Sequence, residues 1–174
     1  MVAAAAFFAL FSFAQAGRPV SQVSVTDING SPAAIPYLGI KTLVVFYIDP
    51  DVRDISDTLS KAIKARDFPP DNFAAIGMVN CRDSWIPRSL IKTFSNLKHR
   101  SLPRSMLLFD DNHALKSAWA LGDCNDRVAV FVIGKDMKIK YSRTISSKNE
   151  SGSIIDTVIS VIAKEIKSGE NAWR

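Results

Sequence analysis

The chain has 174 residues with 22 Lys and Arg against 17 Asp and Glu, a formal charge of +5, 47% hydrophobic residues and two cysteines. That length suits one domain with one sizeable core. The basic residues are scattered rather than run together, which argues against a nucleic-acid-binding tail, and two cysteines are too few for a disulfide-framework protein.

Residues 1–16 (MVAAAAFFALFSFAQA) hold an apolar run from Val2 to Phe13 and close on Ala14-Gln15-Ala16. That small-x-small ending is what a signal peptidase accepts, so residues 1–16 are expected to be a signal peptide cleaved near Ala16, and residues 17–174 the single mature domain. The run lacks the Lys or Arg that a signal normally carries near its start, and it falls short of the ~20 residues a membrane-spanning helix needs. No second apolar span follows, so no transmembrane segment is expected in the mature protein.

Residues 22–28 alternate as an edge strand does, and Asn29-Gly30 marks a turn. Residues 42–48 (TLVVFYI) form a continuous apolar run, the pattern of a central strand covered on both faces. Ile55, Leu59, Ala62 and Ile63 recur at helical spacing, with Asp51 or Asp54 placed to cap the helix and Pro69-Pro70 to close it. Residues 73–79 (FAAIGMV) read as a second buried strand. Pro87 opens a helix whose stripe is Leu90, Ile91, Phe94 and Leu97. A short strand at 105–109 and a turn at 110–113 follow, while 115–121 is apolar without a readable type. Residues 128–133 and 139–143 flank a four-residue turn as a hairpin would. Residues 151–167 form a closing amphipathic helix. The alternation of strand and helix, with a hairpin after it, gives an α/β fold with a mixed central sheet flanked by helices, the layout of the thioredoxin-like fold.

Val79-Asn80 with Asp83 and Pro87, then Pro103, Ser105, Asp110, Ala118-Trp119, Leu121, Val130, Asp136 and the final helix carry a more specific likeness. Over residues 68–167 the chain resembles the YtfJ family of small periplasmic proteins. The resemblance implies a thioredoxin-like fold and a periplasmic location.

A redox thioredoxin needs two thiols separated by two residues at a helix start. Here Asp49-Pro50-Asp51-Val52-Arg53-Asp54 follows the central strand instead, and Val128 stands where such folds carry a cis-proline. The cysteines are Cys81, just past the second buried strand, and Cys124, just before the hairpin. In a thioredoxin-like sheet those strands flank the central one. In an oxidising compartment the pair is expected to form a disulfide, structural rather than catalytic, worth ~4 kcal/mol for a loop of about 43 residues. Two unpaired thiols are the plain alternative.

The acidic cluster suggests a reading of another class. A strand running into Asp49-Pro50-Asp51 resembles the aspartate-nucleophile phosphatases of the haloacid dehalogenase superfamily. There Asp49 would attack phosphorus, Asp51 would act as general acid and base, and Asp123 with Asp126 would help hold magnesium. Arg53 departs from that motif. His99 and His113 lack zinc-site spacing, no Gly-x-Ser-x-Gly elbow is present, and no glycine loop cradles a phosphate. Trp85 and Trp119 are candidates for lining a groove at the same edge.

The reading that follows is of an exported thioredoxin-like protein without the Cys-x-x-Cys dithiol. It is expected to be a binding or accessory module for a protein or small anionic ligand rather than an enzyme, with no cofactor and no nucleic-acid partner. A redox role for Cys81 and Cys124 is its alternative.

Overall fold

The computed structural model describes residues 16–91, 93 and 106–171. Seven strands form one sheet: β1 (Val25–Thr26), β2 (Pro32–Ala33), β3 (Thr42–Ile48), β4 (Phe73–Asn80), β5 (Met106–Asp110), β6 (Val128–Ile133) and β7 (Ile139–Ile145). Their spatial order is β2-β1-β5-β4-β3-β6-β7. β3, β4 and β5 run parallel, and the remaining neighbours pair antiparallel. The mixed α/β sheet expected from the sequence is therefore present, with the apolar run at its centre.

Side chains alternate across this sheet. Leu43, Val45 and Tyr47 of β3 join Ile76, Met78, Leu108, Phe131 and Ile133 in one core. Val44 and Phe46 join Val128, Val130 and Val132 in the other. The first core is covered by Leu115, Trp119 and Leu121, the second by Leu59 and Ile63 from α1 (Asp57–Ala65) and by a helical stretch near the C-terminus. The β6–β7 hairpin turns through Gly134, where any Cβ would come within 2.8 Å of the Lys140, Asp136 and Glu165 side chains. Lys140 there pairs with both carboxylates.

Several elements differ from the expectations. The edge strand is two residues long rather than seven, because Asp27 Oδ1 accepts from the N–H groups of Asn29 and Ser31 and turns the chain early. The ambiguous apolar segment begins as α2 (Ala114–Ala118), entered through His113 in the left-handed region at φ 61°. The closing helix starts earlier and is divided into α3 (Lys148–Ser153) and α4 (Ile155–Asn171). Ser147 accepts from Glu150 N–H while Glu150 accepts from Ser146 N–H, a variant of the reciprocal capping box. Pro87 does open a helical turn, its carbonyl accepting from Leu90 and Ile91 N–H. Phe94 and Leu97 lie outside the described residues, as do His99, Pro103 and Ser105.

The cap of α1 is the clearest correction. Neither Asp51 nor Asp54 caps it: Asp54 pairs with Lys148, and the N-cap residue Ser56 makes no side-chain cap bond among the described residues. Instead Leu59 N–H, one of the free donors of the first turn, reaches the buried Ser151 Oγ 3.3 Å away, 92 residues along the chain. Ser151→Ala should therefore lower stability by about 1–3 kcal/mol by stranding a buried donor. Ser56→Ala should not lower it by the loss of a side-chain cap. Urea unfolding midpoints of the two variants check this.

Candidate functional site

The carboxyl ends of β3, β4 and β5 and the loop before β6 make one edge of the sheet. At the end of β3 stands Asp49, which is fully buried and opens the stretch 49–54. Its Oδ1 accepts from Asp51 N–H at 3.0 Å and caps the short turn Pro50–Val52. Its Oδ2 accepts from Asp126 N–H at 2.8 Å, which fixes the loop leading into β6. Burial pushes the Asp49 carboxyl above its usual range, and the two N–H bonds only partly offset this.

Asp51 turns outward. Its Oδ1 accepts from Ser84 Oγ at 2.8 Å, and its Oδ2 lies 3.5 Å from Trp85 N. The carboxylates of Asp49, Asp51 and Asp126 approach within 4.8 Å of one another, while Asp123 instead accepts from Asn125 N–H and closes its own loop. The edge thus gathers three of the four aspartates of the phosphatase reading, but it gives Asp49 neither exposure nor an uncommitted oxygen with which to attack.

The tryptophans separate. Trp85 is 82% exposed, whereas Trp119 is core, its Nε1–H donating to Ser21 O and its ring set edge-on to Phe131.

The expected disulfide between Cys81 and Cys124 is not seen. Their strands do flank β3, but on β4 the alternation sends Val79 and Cys81 to the face where Ile91 and Phe109 pack. Cys124 is buried in the core on the opposite face, its Sγ 3.9 Å from Leu121 O. The sheet therefore lies between them. Burial pushes the Cys124 thiol up to about 11, the reverse of what a nucleophilic thiol needs.

Between β3 and α2 the same edge holds a polar network that the sequence reading did not assemble. Tyr47 OH donates to Asp110 Oδ2 at 3.0 Å within the core, and Lys116 N–H donates to the same oxygen. Asn80 and Asp110 are direct partners in the β4–β5 register. Asp83 accepts from Asn80 Nδ2 and from Lys116 Nζ at 2.6 Å, and its other oxygen lies 3.0 Å from His113 Nε2. Asp111 accepts from Thr26 Oγ1 and pairs with Arg88. Burial, reinforced by the Asp110 charge, holds the Tyr47 phenol far above its usual range. At Asp83 burial acts upward, but the bonds from Lys116 and Asn80 with the His113 charge carry the carboxyl below its usual range. Asn80, Asp83 and Asp110 had stood out only as residues of the resemblance. Tyr47 lay hidden inside an apolar run, where a buried phenol's need for an acceptor was the available signal.

A strand-centred mixed sheet with this edge defines a thioredoxin-like domain in which the segment after the central strand carries aspartates and no Cys-x-x-Cys pair. The structure is similar to a putative protein disulfide isomerase from Bacteroides thetaiotaomicron, with TM-score 0.61 and 17% identity over 92% of this chain and 96% of that one. It is similar also to the exposed lipoprotein thioredoxin of Streptococcus pneumoniae, with TM-score 0.55 and 12% identity over 79% and 97%. Residues 39–165 match the family described as "Bacterial protein of unknown function (YtfJ_HI0045)", and the chain belongs to that family. An uncharacterized protein of Haemophilus influenzae is 26% identical over 111 residues, 63% of this chain; the match spans 58% of that relative's length.

The Asp83 interactions predict a pH dependence. A carboxyl held below its unfolded value, near 3.9, stabilises the fold when ionised. That contribution is complete above the unfolded value and is lost as pH falls through the lower folded value. Thermal unfolding of wild type and Asp83→Asn should therefore differ most at pH 6–7 and converge in acid below about pH 4.

Proposed function

We propose that the protein is an exported, thioredoxin-like binding or accessory module that performs no dithiol exchange. The observation that carries this is Asp49. The stretch 49–54 after the central strand, where a redox thioredoxin carries its dithiol, holds no cysteine, and at its start Asp49 is a buried carboxylate whose two oxygens accept two backbone N–H groups. What remains at the edge is an exposed Trp85 beside Asp51 and a polar network under α2, features suited to holding a partner rather than to moving electrons.

The protein should not accelerate dithiothreitol-driven insulin reduction above the buffer rate. An acceleration that disappears in Cys81→Ser or Cys124→Ser would overturn the reading. Near neutral pH, the Cys124 thiol at about 11 rather than 9.0 should be alkylated by iodoacetamide about a hundredfold more slowly than an unperturbed thiol. Mass spectrometry of the modified peptide measures this.

Residues 1–16 act in this reading as the export signal, and 17–174 as the mature domain. Cleavage after Ala16 leaves every contact described above in place, since the N-terminal pairing runs from Gly17 N to Ile139 O and from Val20 N to Met137 O. N-terminal sequencing of the natively produced protein should begin at Gly17 in the periplasmic fraction. An intact Met1 in the cytoplasm would refute export.

A further inference from the structure

We propose that the end of the sheet opposite Asp49 is a docking surface for an anionic lipid bilayer, made by the exposed side chains of Tyr37, Ile40 and Met137 with lysines around them. This goes beyond the binding-module reading, which concerns the other end.

Topology brings the three together. Leu43 at the start of β3 pairs with Ile133 at the end of β6, so the turn before β3 and the turn of the β6–β7 hairpin share one end of the sheet. In the first turn Tyr37 O accepts from the N–H groups of Ile40 and Lys41. The second turn touches it at Gly39, where a Cβ would stand 3.4 Å from Met137 Cγ and Sδ. Ile40 is 66% exposed, and Tyr37 and Met137 are each 41% exposed.

The backbone shows that the fold does not ask for these side chains. Tyr37 sits at φ 61° and Met137 at φ 55°, in the left-handed region where a Cβ is disfavoured and where Gly or Asn settles readily. Met137 N–H bonds to Gly134 O and Gly134 N–H to Lys138 O, closing a short hairpin loop whose last residue is ordinarily glycine. Neither Tyr37 nor Met137 belongs to a core cluster of the described residues. Backbone strain of this kind gathers where function uses it, and here it holds two large apolar side chains in water.

The surroundings select the partner. Lys41 Nζ lies 4.0 Å from the Tyr37 ring centre and donates to Pro70 O, Lys135 Nζ donates to Asn72, and Lys138 is exposed. Lys140 is held by Asp136 and Glu165, and the adjoining loop sets Arg66 against Asp67 and Asp71. With Arg18, whose backbone pairs with Ile139, the basic side chains outnumber the acidic ones, so this end attracts an anionic surface. A bilayer interface takes tyrosine at headgroup level, and lysine stems lie along it with their ammonium groups in water. The export reading adds the place where the leader joins. Gly17 N bonds to Ile139 O and Val20 N to Met137 O, so the apolar run of residues 2–13 enters the domain beside Met137. An end that faces the membrane during export has the chemistry to stay on it, with the Asp49 edge turned away.

The test sediments the exported, processed protein with sucrose-loaded vesicles of equal parts phosphatidylglycerol and phosphatidylcholine, against vesicles of phosphatidylcholine alone. The protein should sediment with the anionic vesicles, less with the neutral ones, and less again in high salt, which screens the lysines. Met137→Asn suits the left-handed backbone, so it should melt no lower than wild type yet bind about fivefold more weakly through loss of its apolar area. Ile40→Ser should weaken binding by a similar factor. Lys138→Gln should weaken it about fivefold on anionic vesicles alone. No sedimentation with the anionic vesicles, equal sedimentation with both kinds, or undiminished binding in Met137→Asn and Ile40→Ser would overturn the proposal. Export is scored separately by N-terminal sequencing: a protein that keeps Met1 and sediments whatever the variant is held by residues 1–16, which refutes this surface, and a processed protein that ignores the vesicles refutes it while leaving export standing.

Discussion

Everything at the functional edge depends on how β3 is ended. The strand is paired by β4 on one side and β6 on the other and is covered on both faces, with Leu43, Val44, Val45 and Tyr47 fully buried. The chain must therefore turn out of a dry centre, where an unpaired backbone N–H is costly. Asp49 solves this with one side chain, accepting from Asp51 N–H on the outgoing turn and Asp126 N–H on the incoming loop. Asp126 sits at φ 53°, a left-handed conformation that aspartate tolerates better than most residues. Desolvation opposes the arrangement and raises the Asp49 pKa. The two backbone donors hold it in place, and with it the turn that carries Asp51 to Ser84 and Trp85.

A thioredoxin uses this same place differently. There the strand runs out into a helix start whose free N–H groups and dipole stabilise a thiolate. Here one carboxylate consumes two of the nearby N–H groups, and the helix that follows is closed from behind by Ser151. The donors that would lower a thiol's pKa are engaged. Putting cysteines at this turn would therefore not by itself restore a reactive dithiol, because removing Asp49 also unties the loop before β6.

What was legible in the sequence was whatever depends on local period. Residues 42–48 announced a strand buried on both faces, the helical stripe from Ile55 to Ile63 announced α1, and the spacing of two apolar runs announced the β6–β7 hairpin. What was not legible depends on partners distant in sequence. Three aspartates lie near the start of α1, yet the bond to Leu59 N–H comes from Ser151 because α3 packs across that helix end. The cysteines were placed correctly beside the central strand, but nearness in a sheet is not contact. Period 2 sets Cys81 with Val79, away from Met78, and Met78 belongs to the core that holds Cys124. Tyr47 reads as core and is core; its hydroxyl partner lies 63 residues away.

Asp49 and Asp110 are both fully buried at one edge of one sheet, on either side of the β4 terminus, and they differ in how their donors are shared out. Asp49 has one backbone donor for each oxygen, so the fold itself completes it. Asp110 receives both of its donors on one oxygen. Bracing Tyr47 and the first turn of α2 requires only that oxygen, and a neutral amide at the end of β5 would provide it without the cost of burying a charge. The carboxylate is therefore more than bracing requires. One buried carboxylate joins two backbone segments at the end of β3, and the other holds a core phenol and the first turn of α2 at the end of β5.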